Sequence, residues 1–166
     1  MVDYLFSLSN DDKNFLLFEL IENAKRRAIE GKYDDAIARL YRALEMLGQI
    51  EFEKEFKCST SDVNCENLPL EKRNEIREKY FDYKDNKVKL SLFVTFDLLK
   101  IVKNRIGLLF SENFEEVKKI LFLRNNSILA HGMQPITRKE FEATIEKLEK
   151  LIIGQELKTF RFPILI

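Results

Sequence analysis

Apolar side chains recur at steps of three and four residues along most of the chain, which is the period of an α-helix. The first such stretch follows the capping residues Ser9 and Asn10, and Gly31 should end it. A second helix should begin near Asp34, and the short link around Gly31 predicts that the two helices pack as an antiparallel hairpin. The positions predicted to face the core are Phe15, Leu16, Phe18, Leu20, Ile21, Ala24 and Ala28 in the first helix, and Ala36, Ile37, Leu40, Tyr41, Leu44, Leu47 and Ile50 in the second.

The middle of the chain alternates between polar loops and apolar helices. Residues 57–68 are rich in Ser, Thr, Asp and Asn, which predicts a loop. Pro69 suits the first turn of a third helix, which is expected to run to about Tyr83. After a polar break at residues 84–86, residues 90–102 are apolar on most sides and predict a central core helix.

The next predicted helix carries the most unusual polar residues of the chain. It should start near Ser111 or Asn113, where acidic residues follow in the first turn. It should then run to Ala130 or His131, with Gly132 as its natural stop.

A capping box predicts the start of the last helix, because Thr137 is followed three residues later by Glu140. The apolar tail at residues 158–166 is expected to dock on the body of the protein or on a partner. Together these elements predict an all-α bundle of about five or six helices in one domain of residues 1–166. The core-facing positions of the last helix should be Phe141, Ile145, Leu148, Leu151 and Ile152.

Composition indicates a soluble globular protein and restricts how it could bind nucleic acid. The chain has 166 residues, of which 45% are hydrophobic and 34% charged. Basic and acidic residues both number 28, so the formal net charge is zero. Binding through bulk positive charge is therefore not expected, and contact with nucleic acid would need a local site or one that a second subunit completes.

The sequence predicts a cytoplasmic protein without a metal or other cofactor. The N-terminus lacks a basic leader followed by a long apolar core, and no apolar run reaches the length of a membrane span. Cys58 and Cys65 lie in one polar loop with no third Cys and no His beside them, so a zinc site is not expected. Reduced thiols fit this pair better than a small loop disulfide.

One helix combines residues that could do chemistry. Arg124 and His131 are seven positions apart, about two helical turns, so both should lie on nearly the same side, with Ser127 between them. His131 is the only histidine, and histidine is the side chain best suited to carry protons near neutral pH. The planar guanidinium of Arg124 could bind two phosphate oxygens at once. These groups and a 2′-hydroxyl suffice for metal-free cleavage of RNA by internal attack.

A purely structural interpretation of the same residues is also open. Arg124 could pair with an acidic neighbour such as Glu116, and His131 could cap the carbonyl groups at the end of the helix. Spacing alone favours this structural interpretation, because short motifs of this kind often occur by chance.

A family resemblance favours the catalytic interpretation. Arg124-Asn125, followed after five residues by His131, resembles the signature of HEPN domains. Over about residues 10–153 the chain resembles, in order and spacing, the C-terminal half of one group of type III CRISPR accessory proteins. The segments that carry this wider resemblance are YDDAIARLYRALEMLGQ (33–49), STSDV (59–63), KLSLFVTFDLL (89–99) and LRNNSILAHG (123–132).

The resemblance implies a metal-independent endoribonuclease that cuts single-stranded RNA to a 2′,3′-cyclic phosphate and a 5′-hydroxyl in antiviral defence. Arg124 and His131 match the two defining positions, and Asn125 matches a frequent polar residue after the arginine. Asn126 and Ser127 would support RNA binding. The family further implies a homodimer in which both subunits build one composite cleft.

Full-length relatives carry an N-terminal CARF domain, a Rossmann-like sensor of cyclic oligoadenylate. This chain lacks the alternating pattern of strands and helices that would predict such a domain. We therefore expect the chain to be the excised C-terminal domain of a longer CARF-HEPN protein rather than a stand-alone relative.

Two other functions remain open at this point. A non-catalytic helical dimerisation or adaptor module is suggested by the neutral charge, the apolar tail and a stretch resembling a tetratricopeptide unit, GKYDDAIARLYRALE. The third hypothesis is the HEPN half of a toxin and nucleotidyltransferase pair, which would have an unrelated small partner.

Overall fold

Helices make up most of the computed structural model, which describes residues 10–127 and 135–153. In these two ranges the chain forms seven α-helices and one antiparallel pair of very short strands, so the predicted all-α class is confirmed with one or two more helices than expected. No helix in this part of the chain is long and apolar enough to cross a membrane. The helices are α1 (Asn10–Ile29), α2 (Tyr33–Phe56), α3 (Arg73–Lys79), α4 (Leu92–Ile101), α5 (Arg105–Glu112), α6 (Phe114–Asn126) and α7 (Arg138–Ile153), and the strands are β1 (Phe81–Asp82) and β2 (Lys87–Val88).

The predicted hairpin of the first two helices is confirmed. Gly31 makes the turn with φ of 74°, a left-handed conformation that glycine adopts without steric cost. Lys13 at the start of α1 pairs with Glu53 near the end of α2, while Arg27 near the end of α1 lies 3.2 Å from Asp35 at the start of α2. The two helices therefore run antiparallel, and α2 continues past the predicted Ile50 to Phe56.

The chain divides into two compact units, which share α1 and α2 along the sequence. The first unit contains residues 10–14 and 44–114 of the described chain, and the second contains residues 15–43, 115–127 and 135–153. Each unit buries its own apolar side chains. In the second unit these include Leu17, Ile21, Ala24, Ala36, Ile37, Leu40, Val117, Ile120, Ile136, Phe141 and Leu148.

Aromatic stacking forms the centre of the first unit. The rings of Phe96 on α4 and Phe110 on α5 are parallel to within 6°, with centroids 3.9 Å apart. Gly48 on α2 leaves room for this pair, because a Cβ there would lie 2.9 Å from the Phe96 ring. The predicted core helix at 90–102 is thus confirmed as α4, although Asp97 and Lys100 give it an exposed side.

Helix α5 was not predicted as a separate element, because the turn before it carries neither glycine nor proline. Lys103 makes this turn with φ of 58°, which residues other than glycine rarely adopt. Asn104 then caps α5, since its side-chain oxygen accepts hydrogen bonds from the N–H groups of Ile106 and Gly107 at 2.9 and 3.3 Å. The sharp turn brings the backbones of α4 and α5 close together.

The prediction of a third helix reaching Tyr83 is wrong. Helix α3 ends at Lys79, and the backbone N–H of Tyr80 closes it on the carbonyl of Ile76. Phe81 and Asp82 instead pair with Val88 and Lys87 across a tight turn in which Asn86 has φ of 54°. The Asp82 carboxylate accepts the N–H of Lys84, and this local bond favours a turn over a continued helix.

The predicted loop at residues 57–68 is confirmed, but it is tied to the strand pair. The N–H of Val63 donates to the Val88 carbonyl at 3.0 Å, and the N–H of Leu90 donates to the Thr60 carbonyl at 2.9 Å. Thr60, Val63, Cys65 and Leu68 are buried, so this polar segment also contributes to the core of the first unit.

We predict that Gly107→Ala destabilises the protein by at least about 1 kcal/mol, although alanine favours helices. A Cβ at this position would lie 2.4 Å from the backbone nitrogen of Lys100 and 2.5 Å from the carbonyl carbon of Leu99, and backbone atoms cannot move aside cheaply. Urea unfolding followed by circular dichroism measures the loss. Glu112→Ala is the control on the same helix: this exposed change should stay within about 0.5 kcal/mol. Equal stability of Gly107→Ala and wild type would contradict the close helix contact.

Candidate functional site

Helix α6 carries the polar residues singled out in the sequence. It starts at Phe114. As predicted, acidic residues lie in its first turn, where Glu115 and Glu116 interact favourably with the positive end of the helix dipole. Val117 and Ile120, three residues apart, are buried in the second unit. This buried face fixes the orientation of α6 and therefore of the polar residues at its end.

The prediction of one uninterrupted helix to Ala130 or His131 is wrong at Ser127. Helix α6 ends at Asn126, and Ser127 forms a bend. The Ser127 hydroxyl donates to the Arg124 carbonyl at 2.9 Å, and the side-chain amide of Asn126 donates to the Phe122 carbonyl at 2.8 Å. Side chains that bond to nearby backbone in this way compete with the helical ladder, which accounts for the end of α6.

The guanidinium group of Arg124 is held from two directions. Its Cζ lies over the ring of Tyr41 on α2, 5.0 Å from the ring centroid, and its Nη1 donates to the side-chain oxygen of Asn125 at 2.9 Å. Among the side chains that the structure describes, at residues 13–127 and 135–148, no carboxylate forms an ion pair with Arg124. Within these residues the cation is positioned without a neutralising partner, and its remaining N–H groups suit an anionic ligand.

The alternative that Arg124 pairs with Glu116 is wrong. The Glu116 carboxylate lies 3.2 Å from Lys119 and accepts a second hydrogen bond from Lys147 on α7. These hydrogen bonds, that of Lys147 first, lower the pKa of Glu116 from its ordinary value. Glu116 thus links α6 to α7 and takes no part in holding Arg124.

The other predicted site residues differ in their surroundings. Asn125 and Asn126 are exposed, whereas Ser127 is buried, with 1% of its surface accessible and its hydroxyl bonded to backbone. Ser127 is therefore placed to support Arg124 rather than to present its hydroxyl to solvent. His131 and the predicted stop Gly132 lie outside the described residues.

Both described ends of the segment that contains His131 are anchored within the second unit. On one side Ser127 is bonded to Arg124, and on the other the N–H of Ile136 donates to the Asp34 carboxylate of α2 at 3.4 Å. The predicted capping box follows directly: the N–H of Glu140 donates to Thr137 Oγ1 at 3.3 Å, and the Thr137 N–H and hydroxyl donate to the Glu140 carboxylate at 2.8 and 2.6 Å. Together these two Thr137 donors, the hydroxyl first, lower the pKa of Glu140.

Potential metal ligands are dispersed in the part of the chain that the model covers. No three His, Cys, Asp or Glu side chains come together there in an arrangement that could hold a metal ion. Cys58 and Cys65 are free thiols, the first half-buried and the second buried. Burial raises the pKa of the Cys58 thiol, which does not favour the reactive thiolate.

Residues 7–155 match a protein-family model described as the Csm6 HEPN domain. The chain belongs to this family. The match spans most of the sequence and includes Arg124, Asn125 and His131, so the resemblance to a HEPN domain of CRISPR-associated proteins is confirmed. No curated protein and no solved structure matches the chain. HEPN domains are generally ribonucleases, so membership of this family supports a CRISPR-associated role of the ribonuclease type for the chain.

The sequence did not indicate the contact between Tyr41 and Arg124. Tyr41 was predicted to belong to the buried stripe of α2, but it is only half-buried and its ring lies beneath the guanidinium. The available signal was its position within YDDAIARLYRALE, the segment that carries part of the family resemblance.

We predict that Thr137→Val destabilises the protein by about 1 kcal/mol near neutral pH, because α7 loses its capping hydroxyl. The Glu140 carboxylate loses a hydrogen bond in the variant, and this bond exists only while Glu140 is ionised. The difference between wild type and variant should therefore be complete above the ordinary pKa of glutamate and shrink as the pH falls through the lowered pKa of Glu140. Urea unfolding across this acid range measures the difference in the free energy of unfolding between wild type and Thr137→Val. A difference that grows as the pH falls would contradict the hydrogen bond from Thr137 to the ionised Glu140 carboxylate.

Proposed function

We propose that this protein is a metal-independent endoribonuclease that cuts single-stranded RNA in CRISPR antiviral defence. The observation that carries the proposal is the guanidinium of Arg124, held over Tyr41 and beside Asn125 without a carboxylate partner in the described residues. An arginine fixed in this way is suited to bind a phosphate group, and in sequence it resembles the arginine of the HEPN signature.

The proposed reaction needs only groups of the protein and of the RNA. The 2′-oxygen of one nucleotide attacks the neighbouring phosphorus, a bond from the 2′-oxygen to phosphorus forms, and the bond to the 5′-oxygen of the next nucleotide breaks. The proton of the 2′-hydroxyl passes to a base, and the departing 5′-oxygen takes up a proton. The products are a 2′,3′-cyclic phosphate and a 5′-hydroxyl.

Each motif residue has a distinct part in this proposal. Arg124 binds the non-bridging phosphate oxygens and stabilises the negative charge that develops on them. His131 transfers a proton, either from the 2′-hydroxyl or to the leaving oxygen. Asn125 restrains Arg124 through the 2.9 Å hydrogen bond, Ser127 bonds to the backbone of Arg124, and the exposed Asn126 is available to RNA.

The proposal includes a homodimer in which both subunits supply Arg124 and His131 to one cleft. The formal net charge of zero supports a composite site, because a single copy has no overall positive charge to attract RNA. Two arginines brought together from two copies would raise the local positive potential. We also propose a cytoplasmic location and a CARF sensor domain in cis in the parent protein.

The first test is cleavage of a fluorescent, unstructured single-stranded RNA in the presence of EDTA. We expect wild type to cut, and we expect Arg124→Ala and His131→Ala each to lower the rate by about 100-fold or more, as losses of charge stabilisation and of proton transfer usually do. Arg138→Gln is the matched control, because it removes an exposed arginine of the second unit that pairs with Glu142. Every variant should have the same molecular mass in solution as wild type, which shows that its oligomeric state is unchanged.

Two results would overturn the proposal. Cleavage that EDTA abolishes and magnesium restores would show a metal-dependent reaction. Equal behaviour of wild type, Arg124→Ala and His131→Ala would favour the non-catalytic adaptor, for which His131 is dispensable.

The second test concerns the nucleophile. An RNA with a single 2′-deoxynucleotide on the 5′ side of the main cleavage position should resist cutting there, because the attacking oxygen is missing. Its other positions should be cut as before. The new 3′ ends of the normal substrate should resist alkaline phosphatase until acid opens the cyclic phosphate. Cleavage at the deoxynucleotide would exclude internal attack.

A further inference from the structure

We infer that Tyr41 is a positioning residue of the proposed ribonuclease site, acting through Arg124. This inference rests on the proposed function, because it assigns the phosphate-binding role to Arg124. It adds a residue of α2, far from the Arg124–His131 signature in sequence, to the set that determines the rate of RNA cleavage.

The ring of Tyr41 is itself well fixed. Its neighbours on α2, Leu40 and Ala43, are fully buried in the second unit, so the backbone at Tyr41 is held by the core. The half-buried ring lies at the edge of this core, where the Cζ of Arg124 is 5.0 Å from its centroid. This distance is within the range of a cation–π interaction.

An aromatic face holds an arginine in a way that a carboxylate cannot. A carboxylate would neutralise the guanidinium and occupy N–H groups that a phosphate needs. The face of a ring attracts the cation while leaving the N–H groups, which point outward in the guanidinium plane, for other partners. Asn125 takes a hydrogen bond from Nη1, so the other donors of Arg124 remain for a phosphate.

Several other arginines of the described chain are held in a different way. Carboxylates bind them at ordinary ion-pair distances, as in Arg73 with Glu66 at 2.9 Å and Arg138 with Glu142 at 2.7 Å. Arg124 is held by a ring and an amide instead. A cation that must bind a substrate anion needs such neutral partners, since charged ones would compete with the substrate.

The test compares Tyr41→Phe with Tyr41→Leu in RNA cleavage. Phenylalanine keeps the ring face, so it should cut within about twofold of wild type, whereas leucine keeps apolar bulk without the π-face and should cut roughly threefold to thirtyfold more slowly. Tyr80→Leu is the matched control, because Tyr80 in the first unit also lies under a cation, with Lys79 Nζ 5.5 Å from its ring centroid. That variant should cut like wild type.

A double-mutant cycle distinguishes positioning from general loss of stability. Binding of an uncleavable 2′-O-methyl RNA is measured for Tyr41→Leu, Arg124→Ala and the double variant. If Tyr41 acts through Arg124, the double variant should bind as Arg124→Ala does, because the second change has nothing left to disturb. If the double variant instead shows the product of the affinity losses of the two single variants, the inference is overturned.

Arginine side-chain NMR gives a readout that needs no RNA. The ring should shift the Arg124 side-chain resonances, and this shift should persist in Tyr41→Phe and vanish in Tyr41→Leu. Unchanged resonances in Tyr41→Leu would show that the ring does not hold Arg124.

Failure of the inference and failure of the proposed function have different signatures. If wild type cuts, His131→Ala does not, and Tyr41→Leu cuts as fast as wild type, only the role of Tyr41 is refuted. Equal defects in Tyr41→Phe and Tyr41→Leu would refute it too, because the ring face would then not be the cause. If wild type itself cuts no RNA, the proposed function fails and the positioning role fails with it.

Discussion

Burial of one face of α2 underlies the rest of the structure. Ala36, Ile37 and Leu40 are removed from water in the second unit, and Leu44 and Phe52 in the first. Full burial of a large apolar side chain contributes about 1.5–3 kcal/mol, whereas an exposed ion pair contributes about 0–1 kcal/mol. Each large side chain of the stripe on α2 therefore contributes more than a single surface ion pair, and the stripe fixes the backbone from which Tyr41 reaches Arg124.

Many charged residues of the described chain form ion pairs at the surface. Pairs such as Lys147 with Glu116 join neighbouring helices of the second unit, but each is exposed and weak. Arg124 is held differently, because an aromatic ring and an amide oxygen restrain it without cancelling its charge. The formal net charge of the chain is zero, so the proposed binding of RNA depends on such local positive charge.

The end of α6 illustrates how the fold serves the proposed site. A continuous helix would have carried its backbone past Ser127, but Asn126 and Ser127 bond to nearby carbonyl groups and end it. On the far side of the segment containing His131, the bond from Ile136 to Asp34 and the capping box at Thr137 hold the start of α7. These contacts fix the two described positions, Ser127 and Ile136, that lie on either side of His131 in the sequence.

The sequence by itself determined the features that depend on near neighbours. Helical periods, the Gly31 turn, the capping box and the HEPN signature are all local, and the family match agrees with that signature. Only the tertiary structure decided the turn at Lys103, the strand pair after α3 and the end of α6, because packing and side-chain bonds there override local propensity. It also decided the partner of Arg124: the contact with Tyr41 joins two distant helices, and no periodicity within either helix specifies which faces meet.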